Sequence, residues 1–383
     1  MSKRFTIGIV GCGLGGATIA ALLQKSGFHI RVFEQTPGFS PAGAGIHLSP
    51  NVLKVLRRIG IERYLLDIGC SPRAFTSRMW DTGELLFNLP LGEAAKQRYG
   101  GAYLTVHRGD FHQALVSLID SSSLCYGKRL ESFENTAKGV RLQFEDGHQE
   151  VVDLVIGADG LSSRVRHILQ GEARPVYSGQ VAYRSVFPAC ALKRPPTYEL
   201  SKWWAPDRFV IAYYLTQARD SFYFVAGFPA SDWPHATSSV EGQRDEMLNA
   251  FAGFHPEVQA ILQTSPDARK WPLFERPPNP IWHRGRVVLL GDACHPMRPH
   301  MAQGAAMAIE DAAILSRCLV EAGATHWEQA FCIYSRARIE RTSKVQDISS
   351  RNIWLRDPTD PNWVFSYDAM SEPLVQQHEA LTI

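Results

Sequence analysis

Between Gly291 and Ala312 the chain reads GDACHPMRPHMAQGAAMAIEDA, which gathers Asp292, Cys294, His295 and His300 into nine positions ahead of a small-residue helix opened by Gly304. A metal centre, a catalytic pair and the wall of a cofactor pocket are the chemistries that such residues can serve. The metal reading is weak, because a histidine-based site uses the face of a helix and Pro296 and Pro299 interrupt any helix here; no metal is expected. Nothing beside Cys294 would lower the pKa of its thiol, so it reads as a small buried apolar residue. His295 reads as a hydrogen-bonded structural side chain.

A second chemical motif is Gly11-Cys12-Gly13-Leu14-Gly15-Gly16, a G-x-G-x-x-G. Residues 5–10 (FTIGIV) before it predict a buried strand, 14–27 a helix, and 28–34 (FHIRVFE) a second strand. In that βαβ setting the glycines permit a tight turn and a close backbone approach to a pyrophosphate, which sits on the helix N-terminus. Glu34 ends the second strand, where a carboxylate can hydrogen-bond an adenosine ribose and repels a 2′-phosphate. The site therefore suits FAD or NAD over NADP.

The remaining pattern supplies the frame for these motifs. Ser49-Pro50 opens a helical run to about residue 70, and Asp110 another over 109–120. From about 140 the pattern turns to hairpins, first around Asp146-Gly147, then over 209–228, where FVIAYYLT and SFYFVAGF flank QARD. Strand, turn and helix return at GRVVLLGDA (285–293). The expected fold is α/β: a Rossmann-like FAD-binding domain (1–174 and 276–345) with an inserted β-sheet substrate domain (175–275) and a C-terminal extension (346–383).

Composition narrows the partners. Forty basic against 38 acidic residues leave a net charge of +2, which gives no bias toward nucleic acid or an anionic membrane. Seven scattered cysteines without a C-x-x-C pair argue against a disulfide framework and for a reducing cytoplasm. Lys3 and Arg4 before an apolar stretch mimic a signal peptide, but the five glycines between positions 8 and 16 oppose that reading. No stretch approaches the length of apolar residues that a membrane helix needs.

Two further motifs follow in order: Asp159-Gly160 in DLVIGADGLSSRVR and Gly291-Asp292 after the strand at 287–290. With the G-x-G-x-x-G, this order and spacing resemble the class A flavoprotein aromatic hydroxylases, the para-hydroxybenzoate hydroxylase fold, over roughly residues 5–345. The resemblance implies that Asp292 binds the FAD ribityl chain and that Gly304 and Ala305, at a positive helix end, face the flavin pyrimidine and favour the anionic reduced flavin. It further implies that Gly11, Gly13, Gly15, Gly16, Glu34, Gln35, His47, Arg108, Leu130 and Asp159 contact FAD. The family has no second dinucleotide domain, and no second G-x-G-x-x-G follows a strand here, so NADH is expected as a transient co-substrate together with O2.

Within that family, GAGIHLSPNVLKVLRRIGIE (43–62), YLTVHRGDFH (103–112), KWW (202–204) and residues 287–313 resemble a branch acting on hydroxypyridines. What this implies is hydroxylation of a 6-hydroxypyridine at C3 with loss of the 3-substituent, through a flavin C4a-hydroperoxide: 6-hydroxynicotinate to 2,5-dihydroxypyridine. Deprotonating the ring hydroxyl calls for a base near neutral pKa, and histidine supplies one; His47 and His300 match two of the branch's pocket histidines. Tyr214 and Tyr223, on facing strands, are expected to close over the ring, with Tyr213 pointing opposite to Tyr214. Leu200, Phe209, Ile211 and Pro299 complete the expected substrate wall.

Three of these depart from the branch, where Phe209 replaces a histidine, Ile211 a methionine and Leu200 a cysteine. A ring carboxylate beside hydrocarbon would lose hydrogen bonds, which favours a charge farther from the ring, as in 6-hydroxy-3-succinoylpyridine. A salicylate-type phenol is a third substrate. A flavin halogenase shares the front motif, but KWWAPD lacks that class's W-x-W-x-I-P pattern; a flavin oxidase or dehydrogenase would lack the G-D motif with its proline-rich loop, and a non-catalytic FAD-binding protein would have no use for two histidines beside the flavin helix. The expected assembly is a monomer or homodimer.

Overall fold

The computed structural model describes residues 4–39, 44–172, 174–234, 239–323 and 325–374. Lys3 of the signal-like segment, Gly43 of the GAGIHLSP motif and residues 375–383 of the extension lie outside the described residues.

Thr6–Val10 and His29–Phe33 pair in parallel, joined by the helix Leu14–Lys25. They centre a six-stranded sheet in the order His283–Arg284, Val287–Leu289, Leu154–Gly157, Thr6–Val10, His29–Phe33, Leu124–Cys125, parallel except at its first strand. Ile7, Ile9, Val32, Val155, Val288 and their neighbours are fully buried, as strands covered on both faces require. Ligands of such sheets bind beyond the carboxyl ends of the strands, and Gly11, Asp159 and Gly291 all follow those ends.

An eight-stranded sheet faces this unit: Val240–Glu241, Arg269–Glu275, Val176–Pro188, Ser221–Pro229, Phe209–Tyr214, Leu200–Trp204, Ala74–Met79, Leu85–Pro90. The last two strands come from the segment that the sequence pattern assigns to the cofactor part, and Ala74–Met79 joins in parallel through the register Ser201–Thr76 to Trp204–Met79. Parallel pairing across more than a hundred residues leaves no hairpin signature.

The expected helix from 50 to 70 divides at Gly60, whose φ of 107° is left-handed, into Pro50–Ile59 and Glu62–Ile68. No helix follows the strand at 287–289 directly; a single 3-10 turn, Gly291–Ala293, and the proline-rich loop intervene before Gly304–Ala322. Trp327–Arg351 packs beside that helix and runs past the expected boundary at 345. Trp354, Leu355, Val364 and Phe365 of the extension are buried in the main core. Among the described residues no helix is long and apolar enough to cross a membrane, and all seven cysteines are free thiols.

Candidate active site

Two cavities meet at Gly13, Ala158 and Gly160. The outer one, about 710 Å³, is lined by Gly11, Glu34, Gln35, Leu130 and Asp159. Its floor is the glycine turn. A Cβ on Gly16 would lie 2.0 Å from the Gly11 carbonyl oxygen, whereas one on Gly13 would meet nothing within 4 Å. Gly16 thus closes the turn, while Gly13 leaves open the space that a phosphate occupies. Gly16 lines neither cavity and acts through the backbone.

Glu34 is already oriented, its Oε2 accepting from the Cys12 amide at 2.8 Å and its Oε1 from the Thr36 amide at 2.9 Å. Remaining carboxylate lone pairs are available to ribose hydroxyls. Asp159 accepts from Ser163 Oγ at 2.5 Å and the Val165 amide at 3.0 Å, so its carboxylate also caps the following helix.

The inner cavity, about 400 Å³, receives Gly15, His47, Arg108, Asp292, His300, Gly304 and Ala305. The helix Gly304–Ala322 begins at this wall with no side-chain cap on its N-terminus, which leaves backbone N–H groups for a ligand. A long groove, a phosphate-width turn, a ribose-seeking carboxylate and an uncapped helix end together fit a flavin dinucleotide. His295 stays behind this wall: its Nε2 donates to Asp311 Oδ2 at 2.6 Å.

The substrate wall differs from expectation at two positions. Tyr213, not Tyr214, lines the cavity with Tyr223; the register pairs Tyr213 with Tyr223 and Tyr214 with Phe222. Tyr214 therefore faces the other side of the sheet, edge-on to Phe222 at 5.0 Å in a separate cluster. Leu200 shares the face of Lys202 and Trp204 but is buried behind Tyr213 without lining the cavity. Phe209, Ile211 and Pro299 do line it.

The most consequential residue absent from the sequence expectation is Lys202, which lines the cavity and is 2% exposed. Its signal was present in KWW, but lysine is rarely buried and reads by default as a surface residue. Trp354, Leu355 and Phe365 also line the cavity from the extension, whose weak periodicity hid them.

Both histidines are buried. His47 Nδ1 lies 2.6 Å from Tyr103 Oη, with its ring edge-on to Tyr213 at 4.3 Å. His300 Nδ1 donates to the Ser349 carbonyl at 2.8 Å, and its Nε2 has no partner among the described residues. Burial first, then the positive charge of Lys202, pushes each imidazole down to about 3. The base near neutrality expected from sequence is therefore absent in the ligand-free protein, where both rings are neutral acceptors across the physiological range.

A stability prediction follows with a definite sign. An unfolded histidine titrates near 6.5, so below that pH the unfolded chain binds protons that the folded one refuses. Stability is full above about pH 6.5 and is lost as pH falls toward 3, by at most about 1.4 kcal/mol per pH unit for each histidine. Thermal melts of the flavin-free protein should show a Tm that declines from pH 7 to 5, with a shallower decline in His300→Asn; equal slopes would contradict the burial of that ring's charge.

Comparison with known proteins agrees with this geometry. A family model described as an FAD binding domain matches residues 4–349. The chain is 50% identical to 6-hydroxynicotinate 3-monooxygenase of Pseudomonas fluorescens, covering 98% of each, and 48% identical to the enzyme of that name from Bordetella bronchiseptica, over 99% of this chain and 100% of that one. Among solved structures, Klebsiella pneumoniae HpxO complexed with FAD and uric acid matches with a TM-score of 0.80 at 25% identity, over 91% of this chain and 87% of that one. A salicylate hydroxylase substrate complex matches with a TM-score of 0.83 at 24% identity, over 96% and 97%.

Proposed function

The chain belongs to the FAD-binding-domain family of class A flavin aromatic hydroxylases, and from that premise we propose that it hydroxylates a 6-hydroxypyridine at C3 with loss of the 3-substituent. The substrate favoured by its relatives is 6-hydroxynicotinate. With NADH, O2 and two protons, 6-hydroxynicotinate balances as 2,5-dihydroxypyridine, CO2, NAD⁺ and water. FAD, when bound, supplies the electron transfer from NADH and the activation of O2. Gly13 and Glu34 would hold its adenosine diphosphate half, with Asp292, Arg108 and the N-terminus at Gly304 along its flavin half.

The observation that carries the reading is a pair of buried imidazoles, His47 and His300, in one small cavity that the uncapped helix end also lines. Oxygen transfer to a ring carbon needs an electron-rich ring, which removal of the ring-hydroxyl proton provides. A neutral imidazole within the cavity accepts that proton, and Tyr103 behind His47 supplies a next station for it. Phe209, Ile211 and Tyr223 keep water from the reacting centre.

Purified FAD-loaded protein, given NADH and 6-hydroxynicotinate or 6-hydroxy-3-succinoylpyridine in parallel, tests this by 2,5-dihydroxypyridine formation. Product is expected from 6-hydroxynicotinate. The apolar wall of Phe209 and Ile211 supports the succinoyl compound as the second reading, and product from it alone would select that reading. If neither compound accelerates NADH oxidation and salicylate does, the pyridine assignment is wrong. NADPH in place of NADH separates the nicotinamide donors in the same assay.

A further inference from the structure

Lys202 sits at the middle of the strand Leu200–Trp204, between Ser77 and Ile211 in register. Its Nζ donates to Asn352 Oδ1 at 2.9 Å and lies 3.6 Å from the ring centroid of Trp204 and 4.7 Å from that of Phe209. Among the described residues no carboxylate pairs with it. Once protonated, the amine has three donors, and Asn352 satisfies one, so a buried group that lines the cavity is left with donors to give.

We propose that Lys202 is the receptor for an oxyanion carried by the substrate, so that this cavity selects anionic ring compounds by pairing a buried ammonium with their charge. This deepens the hydroxypyridine reading and rests on it. An isolated charge in a low-dielectric site is costly, and the cost is removed when an opposite charge arrives. The rings of Trp204 and Phe209 offset part of that cost in the free protein. The hydrocarbon wall inferred from Phe209, Ile211 and Leu200 is thus not devoid of charge: it surrounds one.

The helix Trp327–Arg351 builds the receptor. Its last turn presents the Ser349 carbonyl to His300, and its cap Asn352, at a φ of 51° that asparagine tolerates better than most residues, turns its side chain to Lys202. The titratable groups facing Lys202 are His47 and His300, cationic only when protonated, and burial holds the ammonium itself well below its usual range. An arriving oxyanion stabilises the protonated lysine, so ligand binding takes up a proton, and the paired charge adds no net repulsion to either imidazole.

Two substrate groups can present the oxyanion, an acidic 3-substituent or the ring oxide, and ligand choice separates them. Titration calorimetry of the FAD-loaded protein would compare 6-hydroxynicotinate, its 3-carboxamide, nicotinate without the hydroxyl, and salicylate, in wild type and Lys202→Met. Loss of about a hundredfold in affinity is expected for the acids in Lys202→Met. A small effect on the carboxamide assigns the lysine to the 3-substituent, and a small effect on nicotinate assigns it to the ring oxide. Wild-type protein should also take up protons on binding, read from buffers of different ionisation enthalpy, which requires no variant.

Equal affinities in wild type and a folded, flavin-loaded Lys202→Met would overturn the proposal, as would binding without proton uptake above neutral pH should the variant fail to fold. Lysine-dependent binding of salicylate with no binding of any pyridine would leave Lys202 as the receptor and remove the hydroxypyridine reading instead.

Discussion

Arg338→Ala is expected to yield little folded, flavin-loaded protein. Arg338 is fully buried, its Nη1 2.8 Å from Glu310 Oε2 and its Nε 2.7 Å from Asp311 Oδ1, and both acids are fully buried as well. Burial alone would raise both carboxyls, but their partners hold them below the usual range: Arg341 and Arg338 for Glu310, the His295 hydrogen bond and Arg338 for Asp311. Removing the arginine leaves Glu310 with Arg341 and Asn51, whereas Asp311 keeps only His295 and the Gly291 amide. Breaking a buried pair by deleting one partner costs about 3–5 kcal/mol, a large part of the roughly 5–15 kcal/mol that holds a domain folded.

The damage reaches the site through Asp311. Its carboxylate fixes the Gly291 amide and His295, the two anchors on either side of Asp292, so the flavin wall loosens as the network fails. Thermal melting and flavin content of Arg338→Ala check this, with Arg338→Met/Asp311→Asn as the control that removes both charges and keeps an acceptor for the Gly291 amide and His295. A large Tm loss in the single variant and recovery in the double would support the charge argument. A Tm within about 1 °C of wild type, no more than the shift of 1 kcal/mol in a protein of this size, would refute it.

The cofactor half of the site was legible because backbone constraints wrote it into residue types. Only glycine fits where a Cβ would strike the Gly11 carbonyl, and Glu34 must end its strand to reach a ribose, so turn and acid stand at spacings that a reader can recognise. The substrate half was less legible. Alternation along Phe209–Tyr214 showed that Tyr213 and Tyr214 point apart, but not which faces the cavity; that phase is set by the long-range pairing with Ser221–Pro229 and Leu200–Trp204. The strands at 74–90 and the extension carried no local sign of where they would pack. Lys202 was hidden by the opposite fault, since burial of a lysine contradicts the ordinary reading of its type, and such contradictions tend to mark function.

His47→Asn should lower kcat by about 10² to 10⁴ while leaving flavin content unchanged and KM within a few fold, and the hydrogen bonds behind the two histidines say why His47 and not His300 should bear this loss. A carbonyl can only accept, so the Ser349 carbonyl holds the proton on His300 Nδ1 and leaves Nε2 as a fixed acceptor. That ring can orient a donor on the substrate but has no route by which to pass a proton onward, and His300→Asn should therefore raise KM more than it lowers kcat. His47 faces a phenol, which both donates and accepts. It can take the ring-hydroxyl proton at Nε2 and release the one on Nδ1 to Tyr103 as that phenol gives up its own hydroxyl proton to solvent through the cavity it lines. Tyr103→Phe, which removes that station while keeping the ring, should cost roughly tenfold, toward the low end of the range for one positioned proton carrier. Burial is the first cause of the low basicity of His47 and the charge of Lys202 the second; an anion paired with Lys202 cancels the second and leaves the first. Steady-state kinetics of the three variants decide the matter, and a His47→Asn enzyme with more than a tenth of wild-type kcat would transfer the proton-accepting role away from His47.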